Sequence, residues 1–159
     1  MKQIGLKIII ILLITSCSNY NEYKKLILGY ESLDFETLKG LEIRNRGTDN
    51  DGNIILLIFE NNSFTYDATI LIDYKTKNII SVETIKGNQK KLNNLNKIVN
   101  DFFRVNVKYL KVDSEHNIYI NPNSFEHYNL VKVQDSKIFF NGKNRNNFKE
   151  IINDWYLID

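Results

Sequence analysis

The residues with the clearest metal-binding chemistry in this sequence are two glutamate-histidine pairs. Glu115-His116 and Glu126-His127 contain both histidines of the chain. Two imidazoles and two carboxylates would supply the four donors of a zinc site if the fold brought the pairs together. Consecutive residues of an extended chain point to opposite sides, however, and both pairs lie in predicted loops, so their spacing does not preorganise a site. We therefore predict no metal and no cofactor, and we interpret these four residues as solvated loop residues.

A short acidic segment offers a second set of cation ligands. Asp49, Asp51 and Gly52 fall at the third, fifth and sixth places of a calcium loop of the EF-hand type. The first place is Gly47 and the twelfth is Ile58, so an oxygen ligand and the bidentate glutamate are missing. Asp, Asn and Gly are also the residues that turns use, and we interpret the segment as a turn that leads into a strand.

The chain is rich in aromatic residues, with nine tyrosines, nine phenylalanines and one tryptophan. Most of them fall on positions that the hydrophobic pattern assigns to the core. Aromatic side chains also build contact surfaces for peptides and carbohydrates, so an aromatic patch is the alternative for the tyrosines outside that pattern. These tyrosines are Tyr20, Tyr23, Tyr119, Tyr128 and Tyr156. We see no Ser-His-Asp order, no phosphate-binding glycine loop and no paired carboxylates of the glycosidase kind, and we predict no catalytic residue.

The N-terminal segment has the layout of a secretory export signal. Lys2 and Lys7 form a positive region, and an unbroken apolar run covers residues 8–14. A helix needs about 20 mostly apolar residues to cross a bilayer, and polar Thr15 and Ser16 end this run well before that length. The run is therefore predicted to be a signal peptide and not a permanent membrane span.

The only cysteine of the chain directly follows this signal. The segment Leu13-Ile14-Thr15-Ser16-Cys17 resembles the bacterial lipobox, in which a branched apolar residue and two small residues precede an acylated cysteine. The resemblance implies cleavage before Cys17 and two or three acyl chains, each buried methylene contributing about 0.8 kcal/mol to anchoring. A plain secreted protein, or an uncleaved tail with a free thiol, is the alternative. We expect residues 1–16 to be the signal peptide and residues 17–22 to be the lipidated cysteine with its tether.

Removal of the signal changes the charge of the chain. Lys2 and Lys7 are two of its 21 basic residues, and the remaining 19 balance the 19 acidic residues. The mature protein is therefore formally neutral, and its charge gives no reason to expect nucleic acid as a partner. Acylation of Cys17 would also leave the mature domain without a thiol, so no internal disulfide would support its core.

Residues 23–159 have the length of one ordinary domain, and hydrophobic periodicity divides them into helices and strands. Helical structure is predicted at 23–33, in a capped turn from Asp34 to Gly40, at 89–104, and from Phe148 through Ile151 and Ile152 to Trp155 after an Asn144 cap. Strands are predicted at 54–59, 68–74, 79–85, 105–112, 118–120, 130–133 and 138–140. The short links between strands favour an α+β fold, an antiparallel sheet with helices packed on one face.

One of the predicted hairpins carries a resemblance. The stretch from Tyr66 to Val82 places a Lys-Thr-Lys-Asn turn between two strands, and it is similar to the hairpin of PepSY-type envelope domains. Asn78 is expected to take the left-handed conformation that tight turns demand. The resemblance implies a regular hairpin and no function.

These observations favour a binding module over an enzyme. We expect a small α+β domain held in the cell envelope through Cys17, in the outer membrane where the source cell has one and otherwise in the cell membrane. The expected roles are those of an accessory subunit, an inhibitor, an immunity-type protein or a ligand-capture protein, with the membrane and an envelope protein as partners. The alternative is a small envelope hydrolase with a site assembled from distant residues. A hydrolase should show a deep cleft where polar groups with perturbed pKa values converge, and a binder an exposed apolar or aromatic face.

Overall fold

Alternation of apolar and polar residues builds one antiparallel sheet in the computed structural model, which describes residues 20–60, 65–84 and 94–158. The strands are β1 (Leu41–Thr48), β2 (Ile54–Glu60), β3 (Ala68–Ile72), β4 (Ile79–Thr84), β5 (Tyr109–Val112), β6 (Ile118–Asn121), β7 (Leu130–Lys132), β8 (Phe148–Ile152) and β9 (Trp155–Ile158). Within the described residues these nine strands pair in the order β4-β3-β2-β1-β5-β6-β7-β9-β8. Each neighbouring pair is antiparallel, as predicted.

Helices make up the smaller part of the described chain. They are α1 (residues 20–30), α2 (Leu95–Val105) and the one-turn α3 (Ser136–Phe139), with 3-10 turns at Glu36–Leu38 and Arg145–Asn147. The sheet therefore makes up more of the fold, and the helices less, than the α+β prediction implied. Helix α1 begins no later than residue 20, so the described residues 20–22 of the predicted tether are helical. Among the described helices, none is both long enough and apolar enough to cross a bilayer.

The larger core lies between one face of the sheet and helices α1 and α2. Ile27 of α1 and Phe102 of α2 pack in one cluster with Leu56 and Ile70 of the central strands and with Trp155 of β9. Phe102 and Trp155 are both buried. Apolar side chains at alternate strand positions all face this layer, which is why one face of the sheet is apolar along most of its width.

A smaller core lies on the opposite face, near β7 and β9. Phe139 of α3 packs there against Val131 and Tyr156. Val131 and Tyr156 alternate with Leu130 and Trp155, which face the larger core, so both faces of these strands are apolar and both need a cover. The expectation of helices on one face only is wrong for this reason.

The predicted C-terminal helix is also wrong. Phe148, Ile151 and Ile152 belong to β8, and Trp155 begins β9, so the segment is a hairpin. Its turn consists of two residues at positions 153 and 154, with φ of 48° and 62°. Two consecutive left-handed residues match the twist of a tight hairpin and are incompatible with a continuous right-handed helix.

Two shorter predictions fail in a similar way. Residues 138–140 were predicted as a strand, but Ser136–Phe139 form α3, because the Asp135 side chain accepts hydrogen bonds from the amides of Lys137 and Ile138 and caps a helical turn. The left-handed residue of the β3–β4 turn is Lys77, at φ 60°, and not Asn78. Asp73 organises that turn by accepting the amide hydrogens of Lys75 and Thr76.

Most other helix and hairpin predictions are confirmed where the structure describes them, but two have different bounds. The helix predicted at 23–33 ends at residue 30. The strand predicted at 105–112 begins at Tyr109, because Val105 is the last residue of α2 and Asn106 ends that helix in a left-handed conformation. Strands β3 and β4 pair as predicted up to Thr84. Helix α2 confirms the later part of the predicted 89–104 helix, while residues 85–93 lie outside the described residues. Asp34 accepts a hydrogen bond from the Glu36 amide at the start of the predicted capped turn.

Strand β2 has one buried face, and its other face is only partly covered. Ile54, Leu56 and Ile58 are buried beneath the helices, whereas Ile55 and Leu57 on the opposite face are partly exposed. The sheet therefore presents side chains to solvent on the side away from α1 and α2.

Candidate binding surface on the open sheet face

The face of the sheet opposite α1 and α2 carries aromatic and charged side chains in its middle strands. Strand register places Glu42 beside Phe59 on one side and Lys111 on the other, and it places Arg44 beside Tyr109. Lys111 in turn stands opposite Tyr119 of β6. Two tyrosines from connecting segments contact this row. We call the whole set the open face; it comprises Glu42, Arg44, Phe59, Tyr66, Tyr109, Lys111, Tyr119 and Tyr128.

Aromatic rings contact one another across the open face. Tyr128 lies 4.8 Å from Tyr119 and 6.1 Å from Tyr109 between ring centroids, and Tyr66 meets Phe59 edge to face at 6.4 Å. Such pairs contribute about 0.5–1.5 kcal/mol beyond the area that they bury. Phe59 and Tyr109 are buried by these neighbours, while Tyr66 and Tyr128 are each 38% exposed. The outer tyrosines therefore sit on a packed aromatic base.

Arg44 joins the two halves of the aromatic row. Its guanidinium carbon lies 4.7 Å from the Phe59 ring centroid and 5.5 Å from that of Tyr109. Its Nε donates a hydrogen bond of 2.7 Å to Glu42, and its terminal nitrogen contacts the same carboxylate oxygen. Stacking and ion pairing together fix the orientation of the guanidinium plane.

Glu42 is the anionic partner of two cations at this position. Besides Arg44, the Nζ of Lys111 lies 4.0 Å from its second carboxylate oxygen. Burial raises the pKa of Tyr109, and Glu42 raises it further because a negative charge and a hydrogen bond to the hydroxyl both disfavour the phenolate. Tyr109 is therefore a neutral hydrogen-bond donor over the whole physiological pH range.

Asp113 has the corresponding role beside Tyr119. The Tyr119 hydroxyl donates a hydrogen bond of 2.9 Å to Asp113, which also accepts from the amide and the side chain of Asn117. Burial raises the pKa of Tyr119, and the hydrogen bond to the carboxylate adds to that shift. The carboxylates of this region are thus held by neighbours within the fold.

A small hollow opens at one margin of the open face. Its volume is about 220 Å³, and its lining includes Gly40, Glu42, Lys111 and Asp113. Glu42 and Asp113 are the carboxylates already engaged by Arg44, Tyr119 and Asn117. The hollow can hold a small polar group, and it is smaller than the usual cavity for a drug-sized ligand, about 300–1,000 Å³.

Two of the five tyrosines singled out by the sequence belong to the open face. They are Tyr119 and Tyr128, whereas Tyr156 is buried near α3 in the smaller core. Tyr20 and Tyr23 lie on α1 instead. The Tyr20 hydroxyl donates to the carbonyl of Ile151, and the Tyr23 hydroxyl accepts from the side chain of Asn129.

The two glutamate-histidine pairs lie at opposite ends of β6. His116 is in the β5–β6 turn at φ 64°, with Nε2 3.0 Å from a carboxylate oxygen of Glu36. His127 is exposed in the β6–β7 connection, where its carbonyl accepts from the side chain of Asn121. In the described part of the chain, three or more metal-ligating side chains do not come together anywhere.

The acidic segment with Asp49 is a turn that leads into β2, as predicted, and it joins β2 to β1, a strand that was not predicted. The Asp49 carboxylate accepts from the amides of Asp51 and Asn53 and from the Asn53 side chain. Slight desolvation opposes ionisation, but these hydrogen bonds outweigh it and lower the Asp49 pKa. Its oxygens organise the turn, with Gly52 at φ 84° providing the left-handed residue.

Sequence reasoning missed most of the open face, namely Glu42, Arg44, Phe59, Tyr66, Tyr109 and Lys111. A signal was present in the alternation of Glu42 and Arg44 around Ile43, and of Tyr109 and Lys111 around Leu110. In a strand, such alternation puts the polar members on one face. It does not reveal that β1 and β5 are neighbours.

Comparisons with models of protein families, with curated proteins and with solved structures give no match for this chain.

Proposed function

We propose that this chain is a lipid-anchored envelope protein that binds another envelope protein through its open face. Anchoring is supported by the signal-like segment and the lipobox resemblance at Cys17. Binding is supported above all by one observation, the pair of half-exposed tyrosines, Tyr66 and Tyr128, on a buried aromatic base. An accessory, inhibitor, immunity-type or ligand-capture role would each use such a surface.

The composition of the open face fits a protein partner. Tyrosine and arginine are enriched among the residues that dominate binding energy at protein interfaces, where they anchor in desolvated positions. Ile55 and Leu57 lie on the same side of the sheet and are partly exposed, so they extend the surface with aliphatic area. Arg44 and Lys111 share Glu42 as their anionic partner, so these three residues carry one net positive charge in the middle of this surface.

Preorganisation adds to the argument. Two tyrosines with few rotatable bonds are already held by ring contacts, so binding would cost less side-chain entropy than it would with flexible residues. The carboxylates Glu42 and Asp113 hold hydrogen bonds from neighbours in the fold, which suits a structural role better than the acid or base role that a hydrolase needs.

Site-specific photocrosslinking in intact cells tests the binding surface. A photoreactive phenylalanine analogue replaces Tyr66 or Tyr128 in one strain each, and Tyr74 in a matched control. Tyr74 is also exposed, at 62%, but it lies on the β3–β4 turn. We expect one protein adduct of the same mass from positions 66 and 128 and none from position 74.

Affinity measurements then show whether the two tyrosines contact the partner or only lie near it. With the crosslinked partner purified, the Tyr66→Ala/Tyr128→Ala variant should bind at least about tenfold more weakly, since loss of an interface anchor commonly costs more than 1 kcal/mol. Tyr74→Ala should bind like the wild type. Equal affinity of the double variant and the wild type, with both folded by circular dichroism, would rule out the open face as the binding surface.

A separate measurement tests the anchor. Wild-type protein should incorporate radioactive fatty acid and partition into detergent, and Cys17→Ser should do neither, because two or three acyl chains make a stable anchor. Unlabelled wild-type protein in the soluble fraction would show that Cys17 is not acylated.

A further inference from the structure

We infer that the outer surface of α1 lies against the lipid bilayer, which orients the open face away from the membrane. The inference rests on the proposed acylation of Cys17 and goes beyond it, since an anchor alone does not fix how a domain faces the bilayer. It follows from the short distance along the chain, the exposed side chains of α1 and the contacts that fix α1 to the sheet.

The chain between anchor and helix is short. Only Ser18 and Asn19 separate Cys17 from residue 20, where the described helix is already under way. Three residue steps span at most about 11 Å even when fully extended. The start of α1 is therefore held within about one helix diameter, roughly 10–12 Å, of the acylated cysteine.

The outer surface of α1 combines apolar and basic side chains. Residues 21, 24, 25 and 28 share one side of a helix by their spacing, and all four are exposed. This side carries Lys24, Lys25 and Leu28, the last with 54% of its surface exposed. An exposed leucine flanked by lysines suits a bilayer surface, where the leucine enters the acyl boundary and the lysine heads stay among the phosphates.

An apolar groove with basic residues at its edge lies beside this surface. It has a volume of about 470 Å³, and its lining includes Leu26, Leu33, Lys25 and Arg104. Glu22 is the acidic residue in that lining. Arg104 pairs with Asp101 at 3.7 Å, so Lys24 and Lys25 against Glu22 leave one net positive charge, which an anionic leaflet attracts.

The helix is fixed to the sheet and does not act as a loose tether. Tyr20 donates to the carbonyl of Ile151 at 2.9 Å, and Asn129 donates to the Tyr23 hydroxyl at 3.1 Å. Just past the helix, Glu31 accepts from Trp155 at 2.6 Å and from Lys132 at 3.0 Å. These contacts therefore fix the orientation of α1 relative to β7, β8 and β9.

The opposite placement of the two surfaces completes the geometry. Helix α1 packs on the face of the sheet that holds Leu56 and Trp155, and the open face is the other side of the same sheet. When the outer side of α1 rests on lipid, the order from the membrane outward is α1, sheet, open face. Tyr66 and Tyr128 are then displayed to a partner.

Lipid is a better occupant of the α1 surface than a second protein. A folded protein layer inserted between α1 and the bilayer would need more space than the roughly 11 Å that the tether allows at the start of the helix. At about 1.5 Å per residue, an upright α1 would also lift Leu28 some 12 Å above its first described residue, whereas a helix lying flat brings Leu28 to the lipid surface.

Spin labelling of the lipidated full-length protein tests this orientation. Protein purified from membranes is reconstituted into vesicles of phosphatidylethanolamine and phosphatidylglycerol, and a nitroxide is attached at Leu28→Cys or, as the control, at Tyr128→Cys. Acylation occupies the sulfur of Cys17, the only native cysteine, so the label goes to the introduced thiol. Collision rates are measured with oxygen, which enters lipid, and with a water-soluble nickel chelate.

We expect the label at position 28 to collide several-fold less with the nickel chelate than the label at position 128, and more with oxygen. Similar nickel collision rates at both positions, on protein that floats with the vesicles and carries labelled fatty acid, would overturn the orientation while leaving the anchor intact. Protein that neither floats nor carries fatty acid would overturn the anchor and the orientation together.

Discussion

The indole nitrogen of Trp155 donates a hydrogen bond of 2.6 Å to a carboxylate oxygen of Glu31, although 124 residues separate the two in the chain. The same oxygen accepts a hydrogen bond from Lys132. The pair thus connects the segment after α1 to the C-terminal strands. Because Trp155 is fully buried, its N–H depends on this acceptor.

Removal of the acceptor should therefore destabilise the fold. We expect Glu31→Ala to lower the free energy of unfolding by about 1–3 kcal/mol, the cost of leaving a buried donor unsatisfied. Urea unfolding followed by fluorescence of Trp155, the only tryptophan, measures the change. Glu22→Ala, at an exposed position of α1, is the matched control and should unfold like the wild type. An unchanged midpoint for Glu31→Ala would mean that the hydrogen bond adds nothing to stability.

The charge of Glu31 gives a second, pH-dependent prediction. Partial burial raises its pKa, but hydrogen bonds from Lys132 and Trp155 outweigh this effect, and the net pKa lies below the ordinary value of 4.5. A carboxyl with a lowered folded-state pKa stabilises the fold above its unfolded pKa, and this stabilisation is lost as the pH falls through the folded value. Denaturation curves of the wild type should lose this contribution below about pH 4.5.

Glu31→Gln is the control for that measurement. It keeps an oxygen acceptor for Trp155 and removes the titrating group, so its stability should fall less steeply over the same acidic range. Parallel pH profiles of the two proteins would show that Glu31 does not contribute to the acid sensitivity.

The larger core gives a prediction on packing. Phe102 is 1% exposed between α2 and the sheet. Phe102→Ala should cost about 3–5 kcal/mol, through lost transfer energy and the cavity left behind. Ile138→Ala removes an apolar side chain that is mostly exposed and should change stability by less than about 0.5 kcal/mol. Thermal melts of both variants provide the comparison, and similar melting temperatures would contradict the assigned packing.

Metal independence is the fourth prediction. Because Glu115-His116 and Glu126-His127 flank β6 at opposite ends, they do not converge on one ion. Protein purified without a histidine tag or chelator should contain no stoichiometric zinc, and its melts before and after EDTA should overlap. The His116→Ala/His127→Ala variant serves as the control. Zinc that is present in the wild type and absent from this variant, with a lower melting point, would restore the metal site.

The sequence predicted secondary structure best where the hydrophobic spacing fitted only one kind of element. Ala68, Ile70 and Ile72 occupy alternate positions and a polar turn follows, so the β3–β4 hairpin was predicted correctly. Phe148, Ile151, Ile152 and Trp155 follow helical spacing but equally suit a short hairpin covered on both faces. The segment forms a hairpin because residues 153 and 154 are both left-handed. Their polar side chains allow this conformation but do not require it, so the sequence did not predict it.

The open face was harder to predict because it depends on long-range pairing. Arg44 stacks on Tyr109 only because β1 pairs with β5, and about sixty residues separate these strands in the chain. Tyr128 was singled out as an uncommitted tyrosine, but its contact with Tyr119 depends on the path of the β6–β7 connection. Periodicity assigns a residue to a face, and strand order decides its neighbours.

The docking of α1 on the last strands of the sheet has a consequence for how the protein is made. In the proposed export, with the N-terminus first, α1 emerges early, while its partners Ile151 and Trp155 emerge last. The hairpins from β1 to β4 join neighbouring segments and can form during translocation, since local contacts close quickly. Tyr30 of α1, whose ring lies 5.9 Å from that of Trp155, lacks this neighbour until the end. A stalled or clipped chain would therefore leave apolar surface of α1 incompletely covered, and such surface makes an unfinished chain prone to aggregation.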